Sequence, residues 1–565
     1  MICSLAVTNN ELNDSLAKFW ETEQEPNITH YSPDERACEA HFIETHGRDE
    51  SGRFVVRLPF KVDEVQLGRS FQGALQRFYG TERRLNKNPN LKLKYVEFMR
   101  EYERLGHTQK LHGFPINGES NCYVIPHHAV FKDEKIRVVF DASYKTELGI
   151  SLNDILHTGP TIQNDLFSML LSFRKHKYVL SCDMIKMFRQ ILVNENDRCF
   201  QRILWRYDDS EPLSCYELTT VVFGMTSSPY LAIRCLHQLA NIWENIYPDM
   251  AHIIKNQIYV DDVLCGAPEI AEVLTIESKL KEIFKSAGFE LSKFKTNFNH
   301  SAGTDPGIVH LSKYSDSKTL GISWDARNDQ LYYIYNPVFS NVITKRGVLS
   351  EIAQLFDPLG MLGPVVATAK LFVQTLWQEK LSWDDPLPHQ LQVDWLKFRE
   401  QLSALNKITI PRYILAHTSS IQLHGFADAS EKCYGCCIYV RSSKGCDDRS
   451  VHLLCARSKI APLKVVSLPR LELCAALLLA KLMRSVERAM NISIQRRYLW
   501  SDSTITLHWI KESPHKWKTY VANRVSAIQD LTDVRELRHI RSVDNPADVI
   551  SRGSFPRALV TMEDW

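Results

Sequence analysis

The sequence predicts a multidomain α+β protein, and three observations support this prediction. The chain has 565 residues, which is too long for one hydrophobic core and indicates roughly three or four domains. Helical and strand-like patterns are interleaved along its length without an internal repeat. A separate α/β pattern begins near Ile421, where three strand-like segments precede a long apolar helix.

Composition is that of an ordinary globular protein. Hydrophobic residues make up 44% of the chain and charged residues 24%. No window reaches the roughly 18 uninterrupted apolar residues of a membrane span. The first residues have neither the basic start nor the long apolar core of a signal peptide. We therefore expect no membrane partner.

Charge is distributed unevenly. Residues 1–50 contain 3 Lys/Arg and 11 Asp/Glu, a net of −8, so the remaining residues hold 65 basic and 55 acidic side chains, a net of +10. An acidic leader thus precedes a moderately basic body, which suits a nucleic-acid partner. A solvated surface with an arbitrary excess explains the same numbers.

The fourteen cysteines follow no regular framework, which indicates free thiols in a reducing compartment. The spacing of Cys433 and Cys436 fits one half of a zinc site, but no second Cys/His pair follows at finger spacing. We therefore expect these cysteines to be structural and to lie in a strand.

The first half of the chain predicts alternating helices and strands. A strand over 52–61 is followed by a basic helical stretch from Leu67 to about Leu105. Two strands then meet across a short turn. A helix over 164–176 leads into the apolar strand 178–184, and a long helix is predicted over 226–247.

Two adjacent carboxylates, Asp261 and Asp262, end an apolar strand, and residues 263–267 predict the return strand of a hairpin. A helix that ends at Gly288 follows, and residues 340–410 predict mostly helix. The α/β unit that begins near Ile421 completes the chain.

These two carboxylates need compensation, because like charges beside apolar residues are costly. Taken alone, the pair is more typical of a solvated turn. Asp183 changes this interpretation, since it ends another apolar strand about 80 residues upstream. Carboxylates that converge from two strand ends suit a pair of Mg²⁺ ions, which prefer oxygen ligands and support phosphoryl transfer.

The motifs around these acids carry a family resemblance. "YVDD" resembles the Y-x-D-D box of reverse transcriptases, and "SCDMIKMF" resembles their first aspartate motif. Four further motifs follow the order of that family over roughly 200 residues. The resemblance implies a right-hand polymerase with fingers, palm and thumb. It also implies that Asp183 and Asp261 ligate both metals and that Asp262 supports them.

The resemblance implies substrate contacts as well. Phe188 stands where the family places an aromatic gate against a ribose 2′-OH. "FGMTSSP", which contains Gly224, resembles the motif that positions template and nucleotide, with Phe223 in place of the usual glutamine. The implied basic contacts are Arg137 for the triphosphate, Lys132 as a second contact, and Lys293 or Lys295 near the active site.

A second set of acids lies in the C-terminal unit. Asp428 lies on its first strand, Glu472 in the first turn of an apolar helix, Asp502 at a strand end and Asp548 near the last strand. Considered singly, each of three acids more commonly has a structural role: Asp502 would cap a helix, Glu472 would lie at a solvated helix end, and Asp548 would form a turn. Together the four resemble the D-E-D-D set of ribonuclease H, which implies two-metal hydrolysis of a phosphodiester. We assign no role to His539, which appears in a strand.

The segment between the two units resembles the connection of BEL/Pao-type LTR retrotransposon Pol polyproteins, with "FDPLG" and "LSWDDPLP" as the matching stretches. The fold class expected is a right-hand polymerase, a helical connection and an α/β RNase H-like domain. The expected divisions are 1–66 (acidic N-terminal segment), 67–300 (fingers and palm), 301–415 (primer grip, thumb and helical connection), 416–555 (RNase H-like domain) and 556–565 (tail, truncated before an integrase).

The resemblance implies an RNA-directed DNA polymerase with ribonuclease H. Its expected cofactor is Mg²⁺, two ions per active site, with Mn²⁺ as an alternative. Its expected partners are an RNA template, a DNA primer, RNA–DNA hybrid, dNTPs and other Pol and Gag pieces. Its expected location is the cytoplasm, within virus-like particles if the element is active, and entry into the nucleus is an open alternative. A catalytically idle nucleic-acid-binding remnant is the alternative. An aspartic peptidase is disfavoured because the chain has no D-[ST]-G triplet.

Overall fold

The computed structural model describes most of the chain. The described residues are 31–62, 67–111, 122–132, 135–298, 308–310, 321–335, 342–416, 420–444, 448–562 and 565. Residues 1–30 of the expected acidic segment lie outside this set, and so does the side chain of Lys132.

The N-terminal half consists of helices and small sheets around one four-stranded antiparallel sheet of order β10–β11–β6–β12. Its elements are α1 (Pro33–Thr45), β1 (Gly47–Arg48), β2 (Phe54–Val56), α2 (Phe71–Asn86), α3 (Pro89–Arg104), β3 (Thr108–Lys110), β4 (His127–Lys132), β5 (Lys135–Phe140), α4 (Leu152–Ile155), α5 (Leu166–Lys175), β6 (Tyr178–Met184), β7 (Leu192–Val193), β8 (Arg202–Trp205), β9 (Ser214–Leu218), α6 (Ser228–Trp243), α7 (Pro248–Asn256), β10 (Ile258–Tyr259), β11 (Asp262–Ala267), α8 (Ile270–Lys285) and β12 (Leu291–Thr296). The smaller sheets are β1–β2–β7, β3–β9–β8 and β4–β5.

Local signals explain several element boundaries. The Asp165 side chain accepts a hydrogen bond from the Ser168 N–H and so caps the start of α5. The helix predicted over 226–247 corresponds to α6, which ends at Trp243, and a helix that was not predicted, α7, follows it. Helix α7 begins at Pro248, because proline has no N–H to donate and is favoured in a first helical turn.

The C-terminal half contains two further sheets and a set of helices. Its elements are β13 (Ile308–His310), β14 (Gly321–Asp325), β15 (Gln330–Ile334), α9 (Lys345–Ala353), α10 (Gly363–Gln378), α11 (His389–Arg399), β16 (Thr409–Pro411), β17 (Ser420–Ala429), β18 (Cys433–Ser443), β19 (Arg449–Ile460), α12 (Leu468–Met490), β20 (Arg496–Ser501), α13 (Thr504–Lys511), α14 (Thr519–Leu531), β21 (Leu537–His539), α15 (Asp548–Arg552) and α16 (Pro556–Val560). The connection expected to be helical therefore also contains a four-stranded sheet, β13–β14–β15–β16.

The last sheet has five strands in the order β19–β18–β17–β20–β21. The pairs among β17, β18 and β19 are antiparallel, whereas β20 and β21 run parallel to β17. Helix α12 packs closely against this sheet, since a Cβ on Gly425 would lie 2.5 Å from the Leu479 side chain. Cys433 and Cys436 are buried free thiols on β18, as expected for structural cysteines.

Two large hydrophobic cores divide the molecule, and strand β6 contributes to both. Leu180 and Cys182 lie in the core of the N-terminal half. Val179, which points to the opposite face of β6, joins a second core that contains α5, the connection and the five-stranded sheet. Helix α5, although it belongs to the N-terminal half in sequence, thus lies in the core of the C-terminal half. Among the described residues, no helix is long and apolar enough to cross a membrane.

Candidate active sites

The structure brings Asp183, Asp261 and Asp262 together at one end of the four-stranded sheet. Asp183 on β6 lies opposite Asp262, the first residue of β11. Asp261 occupies the two-residue turn that connects β10 and β11. A carboxylate oxygen from each of the three residues lies within 4.8 Å of the others. We call these residues the first acidic cluster.

The turn that carries Asp261 has an unusual backbone conformation at Val260. Val260 has φ of 57°, in the left-handed region, which costs an L-residue roughly 1–2 kcal/mol. Two hydrogen bonds hold the turn: the Val260 N–H donates to Gln163 Oε1 at 3.3 Å, and the Met184 N–H donates to the Asp261 carbonyl at 2.7 Å. Strain of this kind persists where the surrounding structure over-determines the conformation, which is frequent at functional sites.

Lys293 supplies a positive charge to the first acidic cluster. Its Nζ lies 2.5 Å from Asp183 Oδ2. A register irregularity between Ser292 and Lys295, together with φ of 54° at Lys293, interrupts the pairing of β12 with β6. Of the two lysines predicted near this site, the structure places Lys293 on a catalytic candidate, and Lys295 lies opposite Ser181.

Phe188 and Phe223 pack against each other. Phe188 follows β6 in a short 3₁₀ turn and is 4% exposed. Its ring meets the ring of Phe223 edge to face, with a centroid distance of 4.5 Å. The residue that replaces the usual glutamine therefore contacts the predicted ribose gate.

Gly224 fits where no other residue would. Its φ is 106°, and a Cβ there would lie 2.0 Å from the Phe140 carbonyl oxygen. The Asn153 side-chain amide donates to the Gly224 carbonyl at 2.9 Å. Phe140 ends β5, the strand that carries the exposed side chain of Arg137. Gly224 thus packs against β5 of the β4–β5 hairpin, the strand that also carries the predicted triphosphate contact.

A second acidic cluster consists of Asp428, Glu472 and Asp502, whose carboxylate oxygens also lie within 4.8 Å of one another. Asp428 comes from β17, Glu472 from α12, and Asp502 follows the end of β20. The Ala429 N–H donates to Glu472 Oε1 at 3.3 Å. Glu472 Oε2 is buried and has no hydrogen-bond partner among the described residues.

Burial and mutual repulsion raise the pKa values of two members of this cluster. Burial, followed by the charges of Asp428 and Asp502, raises the pKa of Glu472 to about 9. Burial, with the charges of Asp502 and Asp548, raises the pKa of Asp428 to about 7, although a hydrogen bond from Ser551 opposes the shift. Carboxylates that share a desolvated site without a cation behave in this way.

The commoner roles considered for Asp502 and Glu472 do not match the structure. Ser503, rather than Asp502, caps α13 by accepting from the Thr506 N–H. Glu472 lies beyond the first turn of α12, which begins at Leu468, so it is neither in the first turn nor at a solvated helix end.

Asp548 lies apart from the three acids. It is the first residue of helix α15 rather than a neighbour of the last strand, and its Oδ1 lies 2.8 Å from Arg552 Nε. It is outside the 4.8 Å group formed by the described residues, but its charge reaches Asp428. His539 is exposed at the end of β21.

Sequence reasoning missed two supporting residues. The Ser551 hydroxyl donates to Asp428 Oδ2. Ser551 lies three residues after the candidate Asp548, on the same face of a helix, and this spacing could have indicated that it lies near the acids. Gln163 supports the strained turn from almost 100 residues upstream, and no local pattern indicates it.

Two family models match the chain. The model described as "Reverse transcriptase (RNA-dependent DNA polymerase)" matches residues 133–327, which include the first acidic cluster. The model described as "Pao retrotransposon-like RNaseH-like domain" matches residues 344–503, which include the second.

The chain is also similar to a curated protein over a short stretch. It is 27% identical over 153 residues to the Muscle-specific protein 300 kDa of Drosophila melanogaster, which is 26% of this chain and 1% of the relative. The chain therefore spans about 1% of the length of that relative.

Two solved structures are similar to the chain, and one of them reaches a TM-score that shows a shared fold. A foamy viral protease-reverse transcriptase dRH in complex with ds DNA is 16% identical, with a TM-score of 0.50, over 78% of this chain and 68% of that one. A second foamy viral protease-reverse transcriptase, in complex with dsDNA, gives 16% identity and a TM-score of 0.48 over 80% and 82% of the two chains. The first likeness confirms the predicted fold class. The chain therefore carries a reverse transcriptase domain and a Pao retrotransposon RNase H-like domain in one polypeptide, which confirms the predicted resemblance to BEL/Pao-type Pol proteins.

Proposed function

We propose that the chain copies RNA into DNA at the first acidic cluster and cleaves the RNA strand of RNA–DNA hybrids at the second. The observation that carries this proposal is the pair of three-carboxylate groups, each within 4.8 Å, in domains that match a reverse transcriptase and an RNase H-like family. The domain divisions expected from the sequence, and a location in cytoplasmic virus-like particles, belong to the same proposal.

At the first acidic cluster the donor set fits divalent metal, because three carboxylates converge on one point and Mg²⁺ prefers oxygen ligands. Two Mg²⁺ ions, or Mn²⁺, would stabilise the charge on the attacking and leaving oxygens of nucleotidyl transfer. Asp183 and Asp261 would hold both ions, and Asp262 would support them.

Other residues of the polymerase domain would handle the nucleotide. Phe188 would exclude a ribose 2′-OH by contact, held in place by Phe223. Arg137, with Lys132, would neutralise the triphosphate from the fingers hairpin. Gly224 would position the nucleotide and template, and Lys293 or Lys295 would place a cation beside the site.

At the second acidic cluster the unpaired Oε2 of Glu472 is the observation that fits a metal. A buried carboxylate oxygen without a donor is costly, and a cation shared with Asp428 and Asp502 would remove that cost. Asp548 would complete the set from α15. Two Mg²⁺ ions at such a site would activate water and stabilise the leaving oxygen of the RNA strand.

The proposed substrates are a primed RNA template, dNTPs and RNA–DNA hybrid, and other Pol and Gag pieces are the proposed assembly partners. The foamy viral structure of the same fold is a complex with ds DNA, which supports a duplex partner here. Backbone phosphates would supply most of the contacts, so that binding does not depend on sequence.

The polymerase proposal is tested by incorporation of dNTPs on a primed RNA template with Mg²⁺, beside an Asp261→Asn control. We expect extension by the wild type and loss of extension in the control. A folded wild-type protein that extends no better than Asp261→Asn would instead support the idle nucleic-acid-binding remnant.

The ribonuclease proposal is tested separately on a labelled RNA strand in an RNA–DNA hybrid. We expect cleavage by the wild type and by Asp261→Asn, and none by Asp502→Asn. Cleavage that survives Asp502→Asn would show that the second acidic cluster is not the nuclease site.

A further inference from the structure

Arg174, near the end of palm helix α5, is fully buried and has three hydrogen bonds to carbonyl oxygens of other elements. Its Nη1 donates to the Leu453 and Leu454 carbonyls of β19 at 3.0 and 2.9 Å. Its Nη2 donates to the Pro411 carbonyl of β16 at 3.2 Å. One guanidinium thus joins the palm to the connection and to the RNase H-like sheet.

Arg412, the residue after β16, completes the junction from the opposite side. It is fully buried and forms a bidentate ion pair with Asp329, at 2.5 and 2.7 Å. Its Nη1 also donates to the Phe173 and His176 carbonyls at the end of α5, at 2.7 and 2.6 Å. A cation at a helix C-terminus is favourably placed.

Further contacts extend this junction along α5. Lys175 Nζ donates to the Met490 carbonyl at the end of α12, at 2.9 Å. The Arg457 guanidinium of β19 lies 4.9 Å from the centroid of the Phe167 ring. The apolar side chains of α5 lie in the same core as the five-stranded sheet.

These contacts form an unbroken path between the two acidic clusters. Asp183 is on β6, whose Val179 shares a core with α5. Arg174 bonds α5 to β19, which pairs through β18 with β17, the strand that carries Asp428. Packed and hydrogen-bonded elements of this kind hold their separation, unlike domains that are joined by a flexible linker.

We propose that Arg174 is a positioning residue which, with Arg412, fixes the RNase H-like sheet to palm helix α5 and so sets where the RNA strand is cut relative to the primer 3′ end. This inference rests on the proposed function. A buried cation that has only carbonyl partners costs stability compared with an apolar residue, whereas its hydrogen bonds to three backbone positions define one geometry.

The test uses the full chain and the variant Arg174→Met, which removes the charge and the hydrogen bonds while keeping much of the volume. The substrate is 5′-labelled RNA annealed to a DNA primer whose 3′ end is held by a chain-terminated nucleotide. We expect one narrow set of cuts for the wild type and a shifted or broadened set for Arg174→Met, while dNTP incorporation and cleavage of unprimed hybrid persist.

The matched control is Arg234→Met, which removes an arginine that is buried inside the N-terminal half and pairs with Glu39 there. Its cut positions should equal those of the wild type. Unchanged cut positions in a folded Arg174→Met protein would overturn the proposal.

Hydrogen exchange separates this inference from the proposed function, because it needs no activity. Arg174→Met should speed amide exchange in β19 and at the end of α5 by about tenfold or more, which corresponds to about 1.4 kcal/mol, and Arg234→Met should not. Equal protection in both variants would overturn the junction even if both activities are present. If Arg174→Met does not fold, the variant Lys175→Met replaces it, because it removes one hydrogen bond between α5 and α12. Lys175→Met should show smaller changes of the same kind. Unchanged cut positions and unchanged amide exchange in Lys175→Met would also overturn the proposal.

Discussion

The two acidic clusters differ in how their charge is compensated. In the first, Lys293 lies 2.5 Å from Asp183 and partly neutralises the carboxylates. In the second, the pKa values of Asp428 and Glu472 are raised to about 7 and about 9. The second cluster should therefore take up protons when metal is removed.

This difference predicts a pH-dependent stability of the metal-free protein. The folded pKa values of Glu472 and Asp428, about 9 and about 7, exceed the unfolded values of about 4. The folded state thus binds more protons between about pH 4 and 9, and its stability falls as pH rises through that window. Urea unfolding in EDTA should show that Glu472→Gln is more stable than wild type at pH 8, by more than the roughly 1.4 kcal/mol of one pKa unit, with little difference at pH 4. Equal stability at both pH values would contradict this account.

Glu472→Gln should also separate the two activities. Loss of a carboxylate ligand should lower hybrid cleavage by about a hundredfold or more, since even outer partners of a metal site contribute about 10–100-fold. Incorporation of dNTPs should be unaffected, because the first acidic cluster is intact. The matched control is Glu431→Gln, an exposed acid in the turn after β17, which should cleave hybrid like the wild type.

The ring contact between Phe223 and Phe188 predicts an effect on the selectivity for dNTPs over rNTPs. Edge-to-face aromatic pairs contribute about 0.5–1.5 kcal/mol, and this ring holds Phe188 in place. Phe223→Ala should therefore raise the use of rNTPs relative to dNTPs about two- to tenfold in steady-state incorporation. Phe223→Tyr keeps the ring pair and should preserve the selectivity. If Phe223→Ala is as selective as Phe223→Tyr, the ring does not restrain the gate.

At the scale of elements, the β10–β11 hairpin stores strain at its turn. Val260 is β-branched and adopts φ of 57°, a conformation that asparagine tolerates better. Val260→Asn should stabilise the protein by about 1 kcal/mol in urea unfolding. It should also lower incorporation, because the relaxed turn holds Asp261 and Asp262 less rigidly. Val263→Asn, in the paired strand β11, should destabilise instead.

Elements with a strong local pattern were predictable from the sequence. Strands β6 and β17 each carry an acid as their second-to-last residue, and the order of the motifs indicated that Asp183 and Asp261 meet. Helix α7 was not predicted, since it occupies only the nine residues from Pro248 to Asn256 directly before strand β10. The burial of Arg174 and Arg412 was not predictable, because arginine is mostly exposed and its acceptors are distant backbone carbonyls.

At the scale of the whole molecule, charge predicts how nucleic acid is held. Beyond residue 50 the chain has a net charge of +10, and phosphate contacts release counterions. Duplex affinity, measured by fluorescence anisotropy, should fall by about a thousandfold between 50 and 200 mM salt if six or more phosphates are contacted. Two unrelated duplex sequences should give the same slope. A salt-independent affinity would show that phosphate contacts do not dominate.

The position of α5 has a consequence for how the protein can be divided. The helix lies within the residues that match the reverse transcriptase model, but its apolar side chains complete the other core. A polymerase fragment that ends near Thr296 would therefore expose Leu170, Phe173 and the Arg174 guanidinium to water. Such a fragment should aggregate, and the same residues expressed together with the C-terminal half should not. The boundary between the two matched domains in the sequence is therefore not a boundary between hydrophobic cores in the folded protein.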